Sequence, residues 1–385
     1  MLYTYRLATE KPAFTGASKN EMGRFPPESD SSGVSVQPLP GSPSPSSKTA
    51  TATMVAPKFG TMQHHGPMPD GTTTMAAFLT EGDRLLMAAG SGPTVRVFTV
   101  GEELRELAAV STGVDSNIYA VQWWHPKDAD RPYVAVTAYG DEKMASAVYA
   151  LEEAGLRRVK GFIPAILGTM DRDGDGRPET LIRQSFDRDV FWGTRILELS
   201  LAGNGLAGRP VPMETGRNFS AVGSLTADLT GNGRAELVVI RGQTLRVFSE
   251  GEILFETTGM GGSLSRLIYA VNPEQQEVLT SGETLEVDPI VADLDGDGRS
   301  ELIAPASAQS TLSVAGIYTG FKSTQLAVFA YRDGQFIKGT LGEVLDHPVQ
   351  GMAVHDGRVY LVTSRPGNLL GKGGQSSLMS FRLAE

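Results

Sequence analysis

Three stretches of this 385-residue chain align without a gap: TMDRDGDGRPETLI from Thr169, TADLTGNGRAELVV from Thr226 and VADLDGDGRSELIA from Val291. Each sets acids and glycines directly before a short apolar run. A chain that repeats a unit folds as like units packed on one another, which constrains the architecture more than any single motif does. A fourth copy, WWHPKDADRPYVAV from Trp123, keeps the frame at Arg131 without the acids, and tight hairpins stand in the equivalent places near residues 82 and 356. The six units recur every roughly 45 to 65 residues, the range of a four-stranded propeller blade.

The second half of each unit repeats as well. TVRVFTVGEELREL, SAVYALEEAGLRRV, TRILELSLAGNGLA, TLRVFSEGEILFET and QLAVFAYRDGQFIKG each read as strand, turn with Gly, strand. From residue 75 onward apolar residues alternate with period 2 between Gly, Asp, Asn and Pro, and no long segment carries a helical stripe. GEELRELAAV at 101–110 therefore reads as turn and strand. The expected fold is an all-β propeller of six four-stranded blades. Seven is the alternative, because residues 258–288 have room for an extra pair of strands, and an open β-solenoid is the rival. The last unit ends on one strand, SSLMSFRLAE, and TMVAPKFGTM at 53–62 is placed to supply a missing outer strand and remove an exposed edge.

Residues 1–52 read as a leader or linker, because 16–52 are rich in Ser, Pro and Gly and cannot offset their ordering entropy. The propeller is assigned to 53–385. A net charge of −10 argues against a phosphate-tracking protein, so nucleic acid is not expected as a partner. The absence of cysteine excludes disulfides, thiolate metal sites and cysteine nucleophiles. No 18-residue apolar stretch and no signal-peptide pattern stands in the sequence, so no membrane span is expected.

The acidic loops follow the frame D-x-D-G-D-G-x-x-E. Oxygens at positions 1, 3, 5 and 9 and the carbonyl of position 7 can converge on one point, while glycines at 4 and 6 let the backbone turn around it. Oxygen donors without His or Cys select a hard cation, and a mostly carboxylate cage suits Ca²⁺ better than Mg²⁺. An EF-hand needs Glu at position 12, where this chain has Ile182, Val239 and Ala304. The alternative without a metal is a set of Gly and Asx turns held by their own side-chain hydrogen bonds.

This pattern resembles the FG-GAP or VCBS repeat of integrin α-subunit propellers and bacterial exported proteins, over about residues 75–385. The resemblance implies calcium bound by Asp171, Asp173, Asp175, the carbonyl of Arg177 and Glu179, and by Asp293, Asp295, Asp297, the carbonyl of Arg299 and Glu301. The middle loop departs from it with Asp228, Thr230, Asn232, the carbonyl of Arg234 and Glu236, and is expected to bind a third ion more weakly. The copy at His125, Lys127 and Ala129 is expected to bind none. The function implied is a non-enzymatic, calcium-stabilised module outside the cytoplasm, presenting a protein or glycan partner to one mouth of the ring. The loops are then braces, and the functional surface is expected elsewhere.

A polysaccharide-active lyase or hydrolase is the second expectation, with His125 or Tyr133 as candidate bases. A subunit of a cell-surface or filament assembly is the third. His64, His65, His347 and His355 form no metal motif, and PGNLLGKGGQSS at 366–377 lacks the Ser or Thr of a phosphate loop. Trp123, Trp124, Trp192, Tyr133 and Tyr139 could stack on sugars, with blade packing as the plainer role.

Overall fold

The computed structural model describes residues 60–383, apart from 70, 114, 204, 212–217, 276, 310–312, 315–316, 319–320 and 367–373. The expected leader, 1–52, lies outside these residues, as do most of 53–62 and the centre of 366–377. Among the described residues six antiparallel sheets of four strands follow one another and form a six-bladed β-propeller. No helix among them is long and apolar enough to cross a membrane.

Blade one consists of Met75–Glu81, Arg84–Ser91, Thr94–Val100 and Leu104–Ser111. Blade two consists of Ser116–Trp124, Tyr133–Gly140, Ser146–Glu152 and Gly155–Ile163, with the short Lys143–Met144 added to its second strand. Blade three is Ala165–Met170, Thr180–Asp187, Phe191–Ala202 and Gly205–Pro210. Blade four is Ser224–Ala227, Glu236–Arg241, Thr244–Ser249 and Glu252–Thr258. Blade five is Ile290–Ala292, Glu301–Gln309, Phe321–Arg332 and Gln335–Leu345. Blade six takes Val349–His355, Arg358–Arg365 and Gln375–Arg382. Its fourth, outer strand is Gln63–Pro67, paired antiparallel with Gln375–Arg382. The closing strand therefore exists, but it lies just beyond the 53–62 stretch. Its register starts at Gln63 opposite Ser380, and the Gly60 N–H reaches the Arg382 carbonyl at 2.9 Å.

The core lies between blades, where period-2 side chains of facing sheets interdigitate. Val95 and Val97 of blade one pack with Trp123 and Val136 of blade two, and these join Ile166 and Ile182 of blade three in one cluster. Val238 and Val247 of blade four meet Leu302 and Phe329 of blade five, while Met87 and Phe98 meet Val362 and Leu378 across the closing junction. Full burial of each such aliphatic side chain stabilises by about 1.5–3 kcal/mol. The first strands of neighbouring blades lie side by side and form the inner wall. Two glycines make their approach possible: a Cβ on Gly168 would lie 1.8 Å from the Ala221 carbonyl oxygen, and one on Gly351 would lie 2.3 Å from that of Ala76.

The extra pair of strands expected in 258–288 is present as Arg266–Ala270 and Thr280–Thr284, but these pair only with each other and build no seventh blade. They belong to a strap, residues 259–289, that runs from blade four to blade five across the face opposite the acidic loops. The Met260 N–H bonds to Gln243 O, the Gly261 N–H to Pro305 O and the Leu264 N–H to Gln350 Oε1. Ser265 Oγ donates to the Tyr119 carbonyl, and Trp192 Nε1 donates to Glu283 Oε1 at 2.8 Å. The strap is thus tied to blades two, three, four, five and six.

Candidate functional site

The three acidic loops share one backbone frame. Glycines at positions 4 and 6 are left-handed in each: Gly174 and Gly176 at φ 74° and 83°, Gly231 and Gly233 at 71° and 80°, Gly296 and Gly298 at 74° and 82°. Only residues without a Cβ adopt that region at no cost, so the sequence reading of these positions holds. The position-1 aspartate accepts the N–H groups of positions 4 and 6 with its two oxygens, at 2.8 and 2.7 Å for Asp171, 2.8 and 2.7 Å for Asp228, and 2.7 and 2.9 Å for Asp293. The position-9 glutamate reaches back to the N–H of position 2: Glu179 to Arg172 at 3.2 Å, Glu236 to Leu229 and Glu301 to Leu294 at 2.8 Å each. These two acids shape the turn in every copy, as the metal-free alternative describes.

Positions 3 and 5 distinguish the loops. Carboxylate oxygens of Asp171, Asp173 and Glu179 lie within 4.8 Å of one another, and so do those of Asp293, Asp295 and Asp297; either group could hold a metal ion. The structure does not bring all five expected donors together. Asp175 Oδ1 instead accepts the Arg177 N–H at 2.8 Å, and Glu301 lies with Arg332. In the middle loop Asn232 Oδ1 takes the Arg234 N–H at 2.8 Å, the Thr230 hydroxyl donates to Glu236, and Arg234 pairs with Glu250. Among the described residues this loop forms no such acidic group.

Sequence reasoning missed the cations that face the two charged loops. Lys127, from the copy without acids, pairs with Asp173 and holds its carboxyl below the usual range. Arg332 Nη2 lies 2.9 Å from Asp295 and Asp297 and 3.1 Å from Glu301. Burial pushes the Asp171 and Glu301 carboxyls up. The first loop also joins blades: the Trp124 indole donates to Glu179 O at 2.9 Å, the His125 N–H to Pro178 O at 2.9 Å, and the Thr226 hydroxyl to Asp171 O at 2.5 Å.

The ring encloses an axial cavity of about 650 Å³, lined by the first strands of all six blades. Its rim includes Asp171, Asp175, Gly176, Arg177 and Pro178, so the first loop borders the cavity and is not remote from it as expected. Thr80, Thr169, Ser224 and Thr226 are among the lining residues, together with the partly exposed apolar Phe78, Leu225, Ile290, Val291 and Val354. The strap contributes Val287, Asp288 and Pro289 as a floor. Asp288 Oδ1 accepts the Gly223 and Ser224 N–H groups at 2.6 and 3.2 Å, and Oδ2 accepts Gln122 Nε2 at 2.5 Å. Enclosure by protein pushes this carboxyl up to about 6. On the same strap Glu286 Oε2 accepts the Gly262 and Ser263 N–H groups at 2.7 and 3.1 Å, and burial pushes it up to about 7.

The other candidates go to packing. Trp123, Trp124, Trp192, Tyr133 and Tyr139 are all buried in the blades, and of these Trp123 is also among the residues lining the cavity. His125 is buried beside Glu81 at 3.8 Å, and neither it nor Tyr133 lines the cavity; Asp288 is the titratable group there that sequence reasoning passed over. His64 is exposed on the closing strand, and His65 bonds Ser380.

No family model and no curated protein matches the chain. Solved structures do. The β-propeller domain of Cps50 (Swd1) from Myceliophteria thermophila is 14% identical, covering 83% of this chain and 99% of its own, with a TM-score of 0.40. A putative oxidoreductase (glucose dehydrogenase) from Thermus thermophilus is 16% identical over 84% of this chain and 100% of its own, TM-score 0.43. The PQQ-bound aldose sugar dehydrogenase of Streptomyces coelicolor is 11% identical over 85% and 100%, TM-score 0.42. At these identities the likeness is one of scaffold. It nevertheless corrects one expectation: enzymes stand among the similar propellers, so the architecture does not make this chain non-enzymatic, and that assignment is withdrawn.

Proposed function

We propose that this chain is a calcium-braced propeller of the FG-GAP/VCBS kind that receives a carbohydrate in its axial cavity and acts on it. The observation that carries this reading is the cavity itself: a concave site of ligand size, closed at one end by the strap, with hydroxyl, amide and carboxylate groups set among apolar side chains. Such a mixed wall suits a polyhydroxylated ligand. A carboxyl held near neutrality at its floor favours acid–base chemistry on a polysaccharide over passive display.

The first and third loops supply only oxygen donors, three carboxylates each, which suits Ca²⁺. The carbonyls of Arg177 and Arg299 would complete these sites, and the loop of Asp228, Thr230, Asn232, Arg234 and Glu236 would hold an ion weakly. Sites of this kind fill where calcium is millimolar, which supports work outside the cytoplasm. The test is a screen of neutral and acidic polysaccharides for binding and turnover by the full chain, with calcium and with chelator. Turnover that falls on chelation supports the reading. If no saccharide is bound or cleaved in either condition, the reading fails.

A further inference from the structure

We propose that Gln122 and Asp288 form a subsite at the cavity floor that takes two adjacent hydroxyl groups of an uncharged sugar unit and turns away uronic acids. This rests on the carbohydrate reading of the cavity and specifies which carbohydrate enters it. Gln122 comes from the inner strand of blade two, 166 positions before its partner on the strap, and is 3% exposed. Its Nε2 is used on Asp288, and its buried Oε1 has no hydrogen-bond partner. A buried amide oxygen without a donor is costly, so the position is set up for a donor that arrives from outside.

Asp288 keeps part of its surface open toward the cavity, where it lines the wall together with Gln122. Its Oδ1 is occupied by two backbone N–H groups, while Oδ2 takes one hydrogen bond and has acceptor capacity left. The two acceptors with bonding capacity left, the buried Gln122 Oε1 and Asp288 Oδ2, belong to side chains in direct contact, so donors that reach them must be neighbours in the ligand. Vicinal hydroxyls meet that condition. A site built to bond hydroxyls rejects ligands that leave its polar groups unpaired.

The groups facing Asp288 are the neutral Gln122 of blade two and the Gly223 and Ser224 N–H groups leading into blade four. The charged residues on the wall are Asp171, Asp175 and Arg177 of the first loop, at the opposite end of the cavity from the floor. A carboxylate on the sugar would therefore meet Asp288 with no basic group beside it. Desolvated like charges repel strongly in such a setting.

The experiment is calorimetric titration of the full chain, in excess calcium, with glucose, galactose, mannose and xylose and with glucuronic and galacturonic acid. Wild type is compared with Gln122→Met and Asp288→Asn, and the folding of both variants is checked by melting. The expected result is at least tenfold tighter binding of a neutral sugar than of its uronic counterpart, with a loss of at least tenfold in each variant. Wild-type binding should also weaken as the pH falls through about 6, where Asp288 takes a proton, and Asp288→Asn should lose that dependence. Equal binding of uronic acids, or unchanged binding in both folded variants, overturns the subsite while leaving the cavity reading intact. If none of these sugars binds wild type, the subsite is overturned, and if no polysaccharide binds either, the cavity reading fails with it. Should neither variant fold, the wild-type preference and pH profile decide.

Discussion

Glu286 is an acid that the fold keeps at a cost, and replacing it should stabilise the protein. The residue is 3% exposed, and its carboxyl accepts two backbone N–H groups of the strap and is packed against Gly261, where a Cβ would lie 2.5 Å from its Cδ. Burial raises its pKa from 4.5 to about 7. A folded-state pKa above the unfolded value means that the fold favours the protonated form. That contribution is complete below pH 4.5 and is lost as the pH rises through 7. A rise from 4.5 to about 7 corresponds to a cost of roughly 3 kcal/mol for the ionised form. Glu286→Gln retains an acceptor for the Gly262 and Ser263 N–H groups and removes the titration. Urea unfolding from pH 4.5 to 8 should find the variant more stable than wild type by roughly 3 kcal/mol at pH 8, with the gap closing as the pH falls through 7. The carboxylates common to both proteins cancel in the difference. A gap that does not vary with pH, or a variant less stable at pH 8, would refute the reasoning.

The ion assignment predicts that calcium raises the melting temperature and chelator lowers it, since a ligand at about 100 times its Kd stabilises by roughly 2.7 kcal/mol per site. Asp173→Asn and Asp295→Asn should each remove part of that response and Thr230→Ala the least; no response in wild type would sink the assignment. Arg332→Met leaves Asp295, Asp297 and Glu301 without their shared guanidinium. It should lower the melting temperature more in chelator than in calcium, and an equal loss in both would show that arginine and ion do not share these carboxylates. In Gly168→Ala the new methyl meets a backbone oxygen that cannot swing aside. The loss should reach or exceed about 3 kcal/mol, the upper end for overpacking, and a loss under about 1 kcal/mol would contradict the close approach.

The blades were legible because their signals are local. Glycines at positions 4 and 6 and aspartate at position 1 make the same turn wherever they occur, and the alternation in TVRVFTV or ELVVIR needs no partner to be recognised. The floor of the cavity was hidden for the opposite reason. Ser263 and Gln350 are 87 positions apart, Ser265 and Tyr119 146, and Gln122 and Asp288 166, so no window of sequence contains both halves of a contact. The closing strand, QHHGP, carries no apolar alternation, which is why its position was placed a few residues too early. Lys127 and Arg332 escaped notice because their charges matter only once neighbouring strands bring them over an acidic loop.

The pairing of Gln63–Pro67 with Gln375–Arg382 fixes an order of events in time. Gln63 Oε1 receives Arg358 Nη1 at 2.6 Å, and His65 Nε2 lies 2.8 Å from Ser380 Oγ, so the clasp joins strands about 300 positions apart. Bringing such distant segments together in an otherwise unfolded chain costs roughly 5 kcal/mol of loop entropy, which one short strand cannot repay. Closure must therefore wait until the intervening blades have formed and shortened the gap. During synthesis Gln63–Pro67 leaves the ribosome first among the described strands and finds its partner last, and throughout that interval its unpaired edge is open to other chains.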